Sequence, residues 1–164
     1  VDSLVVGDPT HLAYVTQTTL SVDDTREVVD ALRRRFPSIK GPDLRDICYA
    51  TQNRQNAVKS LLPEIDVLVV VGSANSSNSN RLRELGERGG VPAYLIDDSK
   101  SLRREWFDGK QQVGVTAGAS APEILVRHIL DRLAEFGVAN VHEFEGSPEQ
   151  VVFQLPEELE AYRE

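Results

Sequence analysis

Short apolar runs alternate along the chain with longer amphipathic stretches. The runs at residues 4–7, 12–16, 66–72, 93–96 and 113–116 predict strands; the stretches at 22–36, 52–62, 80–88, 101–107 and 122–136 predict helices. Val28, Val29, Leu32 and Phe36 share one face of the first helix, as a helix packed on a sheet requires. Ser21, followed three residues later by Asp24, resembles a capping box at its start, and Pro37 closes its far end. Val67-Leu68-Val69-Val70-Val71 is the longest apolar stretch, the mark of a strand covered on both faces. The alternation predicts an α/β fold, a parallel sheet with flanking helices. Pro37, Gly41 and Pro42 punctuate a boundary at 37–43. Before it lies a strand–strand–helix piece too small to close a core. After it comes a complete α/β layer, then an acidic tail from residue 137 with one apolar patch, Val151-Val152-Phe153.

The 164 residues suffice for one ordinary domain or two small ones. With 40% hydrophobic and 27% charged residues the composition is globular, and no run reaches the ~18 apolar residues of a membrane span. Eighteen basic against 26 acidic residues leave a net charge of −8, which argues against general nucleic-acid binding. A single cysteine, Cys48, excludes an intramolecular disulfide and favours a reducing compartment. The chain starts Val1-Asp2-Ser3, contains no methionine and shows no secretory signal, so it reads as a piece of something longer.

Ligands of open α/β sheets bind beyond the carboxyl ends of the strands. The loops expected there are 16–19, 48–51, 72–80 and 118–122, each rich in hydroxyl or amide groups and each leading into a helix. Capping explains one such side chain per helix, but loop 72–80 carries more than one helix can use. Four polar loops on one edge predict a small anion, a phosphate or diphosphate. Neutral donors and helix N-termini would hold it, because these loops offer no lysine. Cys48 suits either a small buried hydrophobe or, in a βα loop, a nucleophile or metal thiolate. One thiolate cannot by itself hold an iron–sulfur cluster. His11 reads as structural, His128 as packed or solvent-facing, and His142 lies in the tail. No zinc spacing, GxGxxG or P-loop is present. Trp106 and Phe107 read as an anchor to the core.

Four segments carry a resemblance. Thr16 to Thr25, Asp46 to Thr51, Gly72-Ser73 with Asn75 to Leu82, and Val115 to Pro122 are similar, in order and spacing, to the LytB family of 4-hydroxy-3-methylbut-2-enyl diphosphate reductases. The similarity runs from about Leu4 through the tail. It implies a cloverleaf of three similar α/β units around a 4Fe-4S iron–sulfur cluster, each unit giving one cysteine. Residues 1–44 would then be the end of the second unit, 45–136 the third, and 137–164 a C-terminal tail. Cys48 would be the third unit's cluster ligand. Ser76, Ser77, Asn78 and Ser120 would hold the substrate diphosphate. Thr18 would bind and act at the hydroxyl end, with Gln17 and Thr19 beside it.

The family reaction removes an allylic hydroxyl with two electrons and two protons, giving isopentenyl and dimethylallyl diphosphates in the methylerythritol phosphate route. A ferredoxin or flavodoxin type donor and a cytoplasmic or plastid setting are implied with it. The family's N-terminal half has no counterpart here. Two cluster cysteines, the diphosphate-binding histidines and the proton-delivering glutamate go with it, which implies a C-terminal half with an absent or unstable cluster and no activity alone. The same raw features would also suit a phosphosugar-binding isomerase, with Glu123 as the nearby base, or a non-catalytic anion-binding module.

Overall fold

The computed structural model describes residues 1–42 and 47–144. Along these the elements are α1 (Val22–Arg35), α2 (Tyr49–Leu61), β1 (Val67–Val71), α3 (Ser77–Arg88), β2 (Ala93–Ile96), β3 (Val113–Ala117) and α4 (Glu123–Glu135), with short 3-10 turns at Leu62–Glu64, Ser99–Ser101 and Arg104–Phe107. The three strands form one parallel sheet in the order β2-β1-β3. Leu68 aligns with Ala93 on one side of β1 and with Gly114 on the other.

The apolar run places β1 in the centre because all five of its residues are buried. Leu68 and Val70 pack with Val58 of α2 and Leu82 of α3 on one face. Val69 and Val71 pack with Ile129 and Leu133 of α4, Ile96 and Leu102 on the other. Each Leu or Ile withdrawn from water in this way contributes about 1.5–3 kcal/mol. The consequence for ligand binding is topological. β1 leads into a helix on one face and β3 into a helix on the opposite face. Their exit loops therefore diverge, and the crevice between them is where α/β sheets bind ligands.

Helix α1 begins as its sequence predicts, with Ser21 Oγ accepting the N–H of Asp24 at 3.3 Å. Its first turn is tied to the layer beneath by ion pairs of Asp23 with Lys59 (2.6 Å) and Asp24 with Arg88 (2.8 Å). These are exposed pairs, each worth at most about 1 kcal/mol. Trp106 and Phe107 do anchor to the core, and Trp106 stacks on Tyr94 with centroids 3.9 Å apart.

Several expected elements are corrected. Helices α2 and α3 begin three residues earlier than the apolar periodicity shows, because their first three residues, Tyr49-Ala50-Thr51 and Ser77-Asn78-Ser79, lack the large aliphatic side chains from which that periodicity is read. The 101–107 stretch is divided among 3-10 turns, too short for α-helical cooperativity. Val28 is 52% exposed, so it lies off the buried face of α1 that Val29 and Phe36 define. The expected strands at 4–7 and 12–16 are absent. A strand needs a partner to take its N–H and C=O groups, and among the described residues only one bridge forms here, Ala13 with Lys40. The expected junction between residues 44 and 45, and the patch Val151-Val152-Phe153, lie outside the described residues.

Val5 and Val15 are each 92% exposed, and Leu4 is 43% exposed. Exposed apolar residues outside any strand ladder favour contact with another chain. Replacing both valines (Val5→Lys with Val15→Lys) should leave stability within about 0.5 kcal/mol, as surface changes do. The same change should weaken self-association at high concentration in sedimentation velocity. An unaltered concentration dependence would dismiss this segment as a contact surface.

Candidate functional site

The residues singled out from sequence lie on loops at the carboxyl edge of the sheet and on a segment that docks beside it. Cys48 is the N-cap of α2, and its thiol is exposed. The backbone N–H of Cys48 donates to the Thr18 carbonyl at 3.0 Å, joining two predicted site residues thirty positions apart. Buried Gln55 fastens the same segment further on, its Nε2 donating to the Leu20 carbonyl at 3.4 Å. The Cys48 thiol is pulled below its ordinary pKa, first by the backbone N–H of Thr51, then by that of Ala50. Desolvation opposes them, and the Thr51 hydroxyl and the charge of Arg54 add lesser contributions in the same downward direction.

Arg54 corrects the expectation that neutral groups alone surround the site. Its Nε donates to the Ala117 carbonyl at 3.1 Å and its guanidinium reaches back to the Ala50 carbonyl at 3.5 Å. A cation thus stands at the end of β3, delivered from inside a helix where a reading confined to loops does not find it.

The loop after β1 is built around its own hydrogen bonds. Ser76 N–H donates to Ser73 O at 2.9 Å, and Asn80 Nδ2 donates to Ala74 O at 2.7 Å. Ser76 is the N-cap of α3, and its Oγ accepts the Ser79 N–H at 3.3 Å. Asn78 is 5% exposed, yet among the described residues neither its Nδ2 nor its Oδ1 has a partner. An unpaired buried amide costs about 1–3 kcal/mol, so a native fold normally reserves such a group for water or ligand. Ser77 and Ser120 are exposed.

Ser79 joins this loop to the next one. A Cβ on either Gly72 or Gly118 would overlap Ser79 Oγ, so both strand ends close directly on that hydroxyl. Gly118 N–H donates to Val71 O at 2.9 Å, completing the seam between β1 and β3. Contacts therefore run unbroken from Thr18 to Cys48, along α2 to Arg54, across to Ala117 and Gly118, and through Ser79 to Ser76. Ser79 and Arg54 are the residues that the sequence reading missed.

Other groups fall away from this edge. His11 is exposed and meets Asp8 Oδ2 at 2.8 Å. His128 lines a depression of about 460 Å³ with Ser99, Lys100, Asp131, Arg132 and Glu135, which contains none of the predicted site residues. Glu123 is held by Arg127 at 2.5 Å in the first turn of α4.

The iron–sulfur cluster implied by resemblance meets one suitable donor. Cys48 fits, being exposed and disposed to ionise. Among the described residues no three His, Cys, Asp or Glu side chains gather to hold a metal. Native-state alkylation of Cys48 should therefore be fast. Because the lowered pKa enlarges the thiolate fraction, its rate should rise with a midpoint below that of a free thiol. A thiol that reacts only after unfolding would mean that Cys48 is a packing residue.

Comparison with known proteins gives a consistent result. The sequence model of the LytB protein family matches residues 1–134. The chain is 61% identical over 159 residues to the 4-hydroxy-3-methylbut-2-enyl diphosphate reductase of Pseudomonas entomophila, covering 97% of this chain and 50% of that protein. The reductase of Azotobacter vinelandii gives the same identity and coverage. The solved E-1-hydroxy-2-methyl-but-2-enyl-4-diphosphate reductase of Plasmodium falciparum superposes with a TM-score of 0.82 at 32% identity, over 98% of this chain and 51% of that one. A second solved structure, of (E)-4-hydroxy-3-methyl-but-2-enyl diphosphate reductase, gives 0.53 at 35% identity over 75% of this chain and 43% of its own. The chain spans about half the length of the relatives it matches.

Proposed function

The chain belongs to the LytB family, and from that premise we propose that it forms the C-terminal half of a 4-hydroxy-3-methylbut-2-enyl diphosphate reductase. In this reading residues 1–44 end a second α/β unit, 45–136 form the third, and 137–164 are the tail. The observation that supports the proposal is an exposed thiol at the start of α2 together with a buried amide, in the first turn of α3, that has no partner among the described residues.

Ser76, Ser77, Asn78 and Ser120 hold the substrate diphosphate, supported by the N-terminus of α3. Asn78 gains the partners that its buried amide lacks. Thr18 holds a hydrogen bond at the substrate's hydroxyl end, and Gln17 and Thr19 flank it. The Cys48 N–H bond to the Thr18 carbonyl keeps that segment beside α2. Fixing both ends of a small substrate lowers the entropy cost of reaching the reactive geometry. Cys48 contributes one thiolate to a 4Fe-4S cluster. The chemistry such a cluster would supply when bound is one-electron transfer, twice per turnover from the external donor, with Lewis acidity toward the substrate oxygen. The remaining cluster ligands and the proton donor come from a partner segment equivalent to the family's N-terminal half. An electron donor of ferredoxin or flavodoxin type delivers the electrons, in the cytoplasm or a plastid.

The test is a hybrid in which this chain replaces the matching half of the Pseudomonas entomophila relative. Reconstituted anaerobically, the hybrid should turn over 4-hydroxy-3-methylbut-2-enyl diphosphate with a viologen reductant, and Cys48→Ser should abolish turnover. A hybrid that folds and holds iron but leaves this substrate untouched would count against the reading.

A further inference from the structure

We propose that Ser79 is a positioning residue of the anion site, fixing the Ser76 hydroxyl as a donor toward bound phosphate oxygens. The inference rests on the reading above and adds a residue to which the resemblance assigns no role.

Ser76 Oγ receives two hydrogen bonds from one residue, the Ser79 N–H at 3.3 Å and the Ser79 hydroxyl at 3.0 Å. A hydroxyl oxygen has two lone pairs and one proton. With both lone pairs engaged, Ser76 has only its proton left to offer, and whatever meets it must be an acceptor. Phosphate oxygens are acceptors throughout.

The direction of the hydroxyl–hydroxyl bond follows from burial. Ser79 is 1% exposed, and among the described residues its hydroxyl is partnered by Ser76 Oγ. A buried O–H that donates to nothing is costlier than an idle lone pair, so Ser79 donates. A serine inside a helix commonly bonds back to the carbonyl four residues earlier. Ser79 instead turns to the hydroxyl three residues back. Ser76 itself is half-buried and can point its proton outward. Asn78, in the same turn, supplies independent support for a ligand here, since it is 5% exposed and its amide is unpaired at both ends among the described residues.

Ser79 also sets distance. Gly72 and Gly118 close on its Oγ from the ends of two neighbouring strands. Ser76 is therefore oriented by a group that simultaneously touches the loop carrying Ser120.

The experiment is a double-mutant cycle on the 164-residue chain, with inorganic pyrophosphate affinity measured by titration calorimetry. Ser76→Ala removes a donor to a charged acceptor and should weaken binding by about tenfold or more. Ser79→Ala should weaken it by about three- to tenfold in the native background and by less than about twofold once Ser76 is alanine. A spacer role alone would give the same loss in both backgrounds. Ser79→Ala keeps its Cβ, and circular dichroism melting verifies the fold; Ser79→Cys, a weak donor of similar shape, is read identically if alanine does not fold. Equal losses in both backgrounds, or no loss in either, overturn the role of Ser79 alone. Absence of pyrophosphate binding by the unaltered chain overturns the anion site and this inference with it.

Discussion

Reconstituted with iron and sulfide, the 164-residue chain alone is expected to reduce 4-hydroxy-3-methylbut-2-enyl diphosphate at least about a thousandfold more slowly than the hybrid that contains it. Two independent deficits lead there. Cys48 is the only thiol in the sequence, whereas an iron–sulfur cluster is ordinarily held by four protein ligands. General acid–base catalysis by a placed side chain is worth about 10²–10⁴ in rate, and the family resemblance puts that acid outside these residues. Pyrophosphate binding should survive in the isolated chain, because Ser76, Ser77 and Asn78 at the start of α3 and Ser120 in the loop after β3 are all present. The measurement is anaerobic turnover with a viologen reductant, run in parallel on the chain and the hybrid. Comparable rates would show that the catalytic groups have been assigned to the wrong half.

The second large effect is on stability. Leu68→Ala should destabilise the chain by about 3–4 kcal/mol, the usual cost of removing a fully buried leucine from a core that cannot collapse. Leu68 is 0% exposed in the central strand and packs with Val58 and Leu82. It also lies against Gly86, where a Cβ would come within 3.0 Å of its side chain, so the neighbouring helix already sits as close as it can. Against a total stability of about 5–15 kcal/mol, the loss should move the urea midpoint visibly. Val15→Ala, at a 92% exposed position, is the control and should do almost nothing. A Leu68→Ala loss below about 1 kcal/mol would mean that the α2–α3 face yields more freely than its packing indicates.

What was legible in the sequence was what local physics decides. Five apolar residues in a row could only be a strand covered on both sides, and β1 is that strand. Ser21 and Asp24 marked the start of α1 because a cap and its N–H lie within one turn. The loops that follow β1 and β3 and lead into α3 and α4 could be located from the same alternation of strand and helix. The obscured features depend on residues brought together from far apart. The Thr18–Cys48 bond spans thirty residues, and Arg54 reaches Ala117 across sixty-three. Ser79 looks like one more loop serine until Gly72 and Gly118 are seen to close on it. The strands expected at 4–7 and 12–16 failed for a related reason, since apolar pattern specifies a face but cannot supply a partner.

The meeting of Gly72, Ser79 and Gly118 has a consequence for how this sequence can drift. A side chain at 72 or 118 is excluded while 79 keeps its hydroxymethyl group, because a Cβ at either glycine would overlap Ser79 Oγ and one at 72 would also crowd Ser79 Cβ, and shrinking 79 to glycine opens a gap that two glycines cannot fill. Single substitutions at any of the three should be selected against even where a compensated pair would fold. Randomising the three positions together and sequencing the survivors should thus recover correlated combinations, with the fitness of one position reversing sign according to its neighbours.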